Sequence, residues 1–224
     1  MTSPNPDWKP GQKIEAPGGD LISFSPAEKD VASIYKFLIG SVVPRPIAFV
    51  STISKDGVSN LAPFSFFNAL SSNPPCVMIS ISARPGGEYK DTLRNIEETK
   101  EFVVNSANRW LLEPLVHCAA EYPYGVSEFE KAGLTAIASE KVKPQRVKES
   151  AVQLECELYQ TVKIGDGSPG SSTLVIGKIV MFHVLDRIYQ DGKINLEELK
   201  PIARLGGVNY CSVGEIFGIP IPKV

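Results

Sequence analysis

The chain has 224 residues, 43% of them hydrophobic and 21% charged, with a formal net charge of −2. This composition suits a globular chain that buries a core, and the small net charge leaves no electrostatic footprint for nucleic acid or an anionic membrane surface. Cys76, Cys118, Cys156 and Cys211 are too dispersed for a zinc site or a disulfide framework, and His117 and His183 alone cannot build a histidine metal cluster. No apolar run approaches the roughly 20 residues of a membrane helix. The start, MTSPNPDWKPG, is polar and proline-rich and does not read as a signal peptide. A reduced, cytoplasmic protein is the expectation.

In chain order, Pro4, Pro6, Pro10 and Pro17 predict an extended arm over residues 1–24, followed by a single domain over 25–224. Ser25 as N-cap with Pro26 at the first helical position predicts a helix running to Leu38 and stopping at Gly40. Pro44 and Pro46 then force extended backbone and hold Arg45 between them, which suits a positioned charge as well as an exposed one.

Ile47 to Ile53 reads as a strand. Lys55-Asp56-Gly57 supplies a hairpin turn, because Asp-Gly between apolar runs tolerates positive φ. The returning segment, Val58 to Phe64 and on through Ser65-Phe66-Phe67-Asn68, is unusual for a plain strand. Asn60, Ser65 and Asn68 sit among apolar neighbours, and buried polar groups need partners. A polar, planar ligand would provide them, with Phe64, Phe66 and Phe67 as an apolar wall. The plainer alternative is an edge strand with an irregular end.

Leu70 to Pro75 reads as a turn, and Cys76 to Ile81 as a strand. The loop from Ser82 to Gly87 leads to a helix start at Lys90-Asp91-Thr92, with Asp91 as N-cap and an end near Lys100. A helix start of this kind can hold a phosphate, with Arg84, Lys90 and Thr92 as added donors, although the Asp91 carboxylate competes for the same amides. An ordinary capped helix is the alternative. Further strands are expected at Phe102–Asn105, Val152–Leu158 and Thr173–Val184. In the second of these Val152, Leu154, Cys156 and Leu158 face inward, with Gln153, Glu155 and Glu157 outward. Gly177 is expected to mark a bulge or barrel bend. Trp110 to Ala120 reads as a helix with His117 on its surface. Residues 122–133 form a loop with one turn of helix at Glu128–Lys131, of a kind that often covers a site. His183 is expected to be packed or at a rim. Asp191-Gly192 makes a turn, and Arg204, Gly206-Gly207 and Tyr210 specify local structure in the tail.

About seven strands joined by turns favour a mostly antiparallel barrel with peripheral helices. The chain carries no GxxxxGK[ST], HExxH or GxSxG motif.

The segment SVVPRPIAFVSTISKDGVSNLAPFSFFNALSSNPPCVMISI, followed by YKDTLRNIEETKEFVVN, closely resembles the flavin-reductase-like family of FMN-binding split-barrel proteins. That family includes the reductase components of two-component monooxygenases and the flavoredoxins. The likeness is strong from Tyr35 to Asn105 and weaker through EFEKAGLT, GKIVMFHV and LGGVNY. It implies a mainly β fold with peripheral helices, a six-stranded antiparallel FMN-binding split β-barrel, and a homodimer with FMN near the subunit interface. It implies that Ser51 and Thr52 face the flavin or its ribityl chain. Asn60, Leu61 and Ala62 would line the isoalloxazine, and Ser65, Phe66, Phe67 and Asn68 would meet the ring edge and phosphate side. Ser82, Arg84, Lys90, Asp91 and Thr92 would hold the phosphate. Arg45 joins them as a cofactor-binding candidate. The implied activity is an NAD(P)H:flavin oxidoreductase, using NADH or NADPH, that supplies a partner monooxygenase or redox protein. The alternative is a flavoredoxin-like FMN electron carrier without direct NAD(P)H turnover. Hydride transfer requires no side-chain acid or base, so no catalytic residue and no metal ligand is assigned.

Overall fold

In the computed structural model, residues 3–84 and 86–222 are described. Residues 3–24 contain no helix or strand. Ser25 and Glu28 form a reciprocal capping box, but around a single 3-10 turn, Pro26–Glu28. The helix proper, α1, is Val31–Ser41, and the Asp30 carboxylate caps it by accepting from Ser33 N–H at 2.8 Å. The expected single helix is therefore split, because Lys29 is extended and a second capping residue follows it directly.

The short strand β1 (Arg45–Pro46) leads into β2 (Ala48–Ile53), which forms an antiparallel hairpin with β3 (Ser59–Phe64). Gly57 takes φ 85° at the turn, a value that favours glycine. After two corner residues the chain enters β4 (Phe67–Ser72), whose second half occupies part of the turn expected over Leu70 to Pro75. Its Asn and Ser residues are exposed, so it lacks the alternation that marks a half-buried strand. β5 (Pro75–Ser82), helix α2 (Asp91–Thr99) and β6 (Glu101–Ser106) follow. The expected 110–120 helix begins as a 3-10 turn, Arg109–Leu111, and continues as α3 (Leu112–His117). Helix α4 (Glu128–Lys131) and the paired short strands β7 (Ala136–Ile137) and β8 (Arg146–Val147) precede the two long strands β9 (Val152–Ile164) and β10 (Ser172–Val184). The small hairpin β11 (Tyr189–Gln190) and β12 (Lys193–Ile194) turns at Asp191-Gly192. Helix α5 (Leu196–Leu199) leads to β13 (Ile202–Arg204) and β14 (Tyr210–Ser212), which pair with each other while β13 also pairs with β1. Arg204 bonds the Tyr210 hydroxyl and the Gly207 carbonyl, which fixes this tail.

The main sheet has seven antiparallel strands in the order β3-β2-β6-β9-β10-β5-β4, one more than the six the family resemblance implies. Its two edges, β3 and β4, are joined by only Ser65 and Phe66, so the sheet must curl until the edges meet at a corner. Phe66 C=O accepts from Ser80 N–H at 2.8 Å at that corner. The concave interior holds Val50, Ile79, Phe102, Cys156 and Val175, sealed by Leu93 and Ile96 of α2. Ile96 and Phe102 are fully buried, each such side chain stabilising the fold by about 1.5–3 kcal/mol. A second core lies on the other face of β2 and β3, where Phe49 and Leu61 pack with Leu115, Phe129 and Ile202. β3 therefore lies between α2 on one face and α3 with α4 on the other.

The facing of β9 differs from its sequence pattern. Gln153 and Glu155 are buried, not outward, because the 138–147 segment covers that side of the strand. The pairing register with β10 shifts at Ile176/Gly177, the bulge expected there.

Candidate functional site

A cleft of about 130 Å³ opens along β3, an edge strand of the main sheet. Asn60, Ala62, Pro63 and Phe64 form its floor, Arg84, Lys90, Asp91 and Thr92 one side, and Cys118 to Tyr122 with Glu128 the other. Six of the cofactor-binding candidates (Asn60, Ala62, Arg84, Lys90, Asp91 and Thr92) and Phe64 of the expected apolar wall thus meet here, from three separate stretches of chain.

The cationic end is built by the start of α2. Lys90, not Asp91, is the N-cap, and it makes no side-chain capping bond, so the first-turn N–H groups lack a side-chain partner. Asp91 turns to Arg84, 3.4 Å away. The Lys90 ammonium lies 5.7 Å from the centroid of the Phe64 ring. Burial holds its pKa below the ordinary lysine value, and the neighbouring Arg84 charge adds to that, against an opposing pull from Glu121. Two cations and an uncapped nine-residue helix suit a phosphate.

The floor is set by a buried polar network. Asn60 Nδ2 donates to Thr52 Oγ1 (3.2 Å) and Thr92 Oγ1 (3.0 Å), and Asn95 Nδ2 also donates to Thr52 Oγ1 (3.0 Å). Both amide protons of Asn60 are used inside the protein, so it presents a carbonyl acceptor to the cleft, matched to a hydroxyl or ring N–H. Asn95 Oδ1 is the one buried side-chain polar atom without a partner among the described residues.

Other sequence candidates face elsewhere. The Ser51 hydroxyl donates to Gln145 C=O at 2.5 Å and accepts from Asn105 Nδ2. Thr52 reaches the cleft only through Asn60. The Leu61 side chain is buried in the second core. Ser65 accepts from Arg45 Nε at 3.3 Å, Phe67 packs against the barrel core, and Asn68 is exposed on β4 with its side chain bonded to Ala69 N–H. Ser82 pairs with Ser172 at the end of β5. Arg45 is buried, with its guanidinium donating to the carbonyls of Ile39, Val42 and Leu205 at 2.6, 2.8 and 2.9 Å. Its charge is spent on joining α1, β1 and the tail, so it does not reach this cleft.

Sequence reading missed Glu128. This buried carboxylate accepts from Leu61 N–H at 2.8 Å, covering the open edge of β3. Burial raises its pKa, against the opposing Leu61 hydrogen bond. The adjacent Cys118 thiol is pushed up to about 12 by burial, then by Glu128, which leaves it protonated and unreactive. No periodicity distinguishes Glu128 from its exposed neighbour Glu130; only the fold places it under β3. His117 stays at the surface, bonded to the Tyr122 hydroxyl at 2.8 Å.

The profile of the flavin reductase like domain matches residues 39–195. The chain belongs to the flavin-reductase-like family. It is 44% identical over 190 residues to an uncharacterized protein of Aquifex aeolicus, covering 84% of this chain and 94% of that one. Its fold matches nitrilotriacetate monooxygenase component B from Bacillus cereus with a TM-score of 0.87 at 41% identity, covering 90% of this chain and all of that one. It also matches Pseudomonas fluorescens 2-nitrobenzoate 2-nitroreductase, with a TM-score of 0.81 at 28% identity, covering 90% of this chain and 96% of that one. The curled sheet of this flavin-reductase-like chain is accordingly a split barrel. Among the described residues, no helix is long and apolar enough to cross a membrane.

Proposed function

We propose that this chain is a cytoplasmic NAD(P)H-dependent flavin reductase that holds FMN at the β3 edge and supplies reduced flavin to a partner monooxygenase. The observation that carries this reading is the meeting of the uncapped α2 start, Lys90 and Arg84 with Asn60 and Phe64 in one cleft. That donor set fits a ligand with a phosphate at one end and a hydroxyl-bearing, planar portion beyond it. When bound, the flavin supplies the redox chemistry, accepting hydride from a reduced nicotinamide. The protein's part is to bind and orient. Lys90 and Arg84 neutralise the phosphate, Asn60 offers its carbonyl, and Phe64 and Ala62 provide an apolar surface. Family membership and the 41% identity to a protein named as a monooxygenase component support the assignment.

The cleft of about 130 Å³ is smaller than the 300–1,000 Å³ usual for ligand sites. The proposal therefore includes a homodimer in which a second copy completes the flavin pocket. The exposed edge strand β4, with Leu70, and the exposed Tyr35, Phe37 and Leu38 of α1 are surfaces suited to that contact.

The test is an absorption spectrum of the purified protein, followed by anaerobic addition of NADH and then NADPH. Bound flavin that bleaches rapidly supports the reductase and identifies the donor. Flavin that stays oxidised with both nucleotides yet is reduced by a ferredoxin-like protein would assign an electron carrier instead. Lys90→Ala should weaken FMN binding roughly 10–100-fold through loss of a charge-assisted hydrogen bond. Asn60→Ala should weaken it as well. Unchanged FMN affinity in both variants would refute the site.

A further inference from the structure

A second and larger cleft, about 720 Å³, adjoins the first. Arg84 and Asp91 line both and form the wall between them. Its other sides are α2, Tyr124 and the tip of the β9–β10 hairpin. The volume lies within the usual range of small-molecule sites. Two tyrosines line it, Tyr89 and Tyr124, 42% and 45% exposed. Each carries a cation over its ring. The Lys163 ammonium is 5.8 Å from the centroid of Tyr89, and the Arg94 guanidinium is 4.8 Å from that of Tyr124. Ser171, Ser172 and Thr173 add hydroxyls.

Three carboxylates also reach this cleft, and two are engaged locally. Asp91 pairs with Arg84, and Asp166 accepts from Ser168 N–H at 3.0 Å and from the Ser171 hydroxyl at 3.4 Å. Glu88 is the third; outside the lining, Glu97 sets a negative charge near Lys163 and Glu98 lies 3.6 Å from Arg94. Aromatic faces beside cations and hydroxyls are the chemistry of a planar heterocycle attached to phosphate.

Position narrows the ligand. The shared wall is the cationic end of the first cleft, where the flavin reading puts a phosphate. FMN ends at that phosphate, whereas FAD continues from it through a second phosphate into adenosine. We propose that the second cleft is an adenylate subsite, which receives the AMP half of FAD while the FMN half occupies the first cleft. Lys163 meets the second phosphate or the ribose, and Tyr89 and Tyr124 flank the adenine. The inference rests on the flavin reading above and extends it to a dinucleotide.

The experiment titrates FMN and FAD separately against the full-length protein, with Lys163→Glu and Tyr89→Ala as variants. Both side chains lie outside the first cleft, so FMN affinity checks folding and the flavin site together. The expected result is an FAD affinity that falls roughly tenfold in Lys163→Glu, about 1.4 kcal/mol, with FMN affinity unchanged. Tyr89→Ala should show the same selectivity. Equal effects on both flavins, or none on either, would overturn the subsite while leaving FMN binding intact. AMP that competes with the nicotinamide donor but not with FAD would give the cleft to the donor and overturn its assignment to FAD. A protein that binds neither flavin would remove the proposal together with the flavin reading.

Discussion

Oε1 of Glu155 lies 2.6 Å from Nε2 of His183 across the β9–β10 pair, with the carboxylate fully buried. The same carboxylate accepts from the N–H groups of Glu140, Lys141 and Val142 at 2.8, 2.6 and 3.2 Å. One side chain thus ties the 138–147 segment to the barrel. That segment in turn supports the hairpin behind the candidate site, since Gln145 accepts hydrogen bonds from Ser51 and Ser59.

Burial would raise the Glu155 pKa, but the three N–H groups and His183 together outweigh it and hold the carboxyl below its ordinary 4.5. A carboxyl depressed in the folded state stabilises the fold above its unfolded pKa, and that stability is lost as pH falls through the folded value. Glu155→Gln keeps the shape but turns an amide against N–H donors. It should cost about 3 kcal/mol, or roughly 6–12 °C in Tm for a chain of this size. Thermal melts from pH 7 down to pH 3 should show a shallower acid loss in the variant. Parallel curves would refute the link.

Glu128 has the opposite sign. Its folded pKa is raised, chiefly by burial, so the folded state holds the proton more tightly than the unfolded chain. Stability should therefore fall as pH rises from the ordinary 4.5 through the folded value. Glu128→Gln retains an acceptor for Leu61 N–H and removes the charge. Its melting temperature should exceed the parent's at pH 8, with no gain at pH 4. A variant less stable at pH 8 would show that the ionised carboxylate, despite its burial, is the better partner for β3.

How much of the fold is legible in the sequence follows the range of the interactions. The β2–β3 hairpin is legible because Asp56-Gly57 and the flanking apolar runs are local signals. So is α4, whose bounds match those read from the sequence. The α2 start is legible as a helix N-terminus, though the cap proves to be Lys90, because Arg84 draws the Asp91 carboxylate away. β4 is not legible, since an exposed edge strand has no buried face to print an alternation. Gln153 and Glu155 mislead for a related reason. Charged and polar residues alternating with apolar ones look solvated until a distant segment brings N–H groups to them. The same holds for the cleft: Lys90, Asn60 and Glu128 become neighbours only through the curl of the sheet.

Arg45 separates a structural from a ligand-binding role. Three carbonyls from α1, the loop after it and the tail converge on one planar guanidinium. A lysine ammonium is a point charge and cannot reproduce that fork. Arg45→Lys should cost about 2 kcal/mol, or roughly 4–8 °C in Tm. FMN affinity measured well below the transition should stay within about twofold of the parent, under 0.5 kcal/mol. A large loss of affinity with an unchanged melting temperature would return Arg45 to the binding site.

Gly177 tests the packing of the barrel interior directly. A Cβ built there would lie 2.2 Å from Cζ of Phe102 and 3.3 Å from Cβ of Cys156. Phe102 is fully buried, and its ring cannot swing away without displacing the core around it. The φ at Gly177 is not in the left-handed region, so the obstacle to a side chain is contact and not backbone strain. Gly177→Ala should therefore destabilise by about 3 kcal/mol, the upper part of the range for overpacking a close-packed core. Pairing it with Phe102→Leu, which withdraws the ring atom that clashes, separates the two effects. The double variant should be more stable than the sum of the single losses predicts, by at least about 1 kcal/mol in denaturant titrations. Simple additivity would place the cost of Gly177→Ala in the bulge instead of in its contact with Phe102.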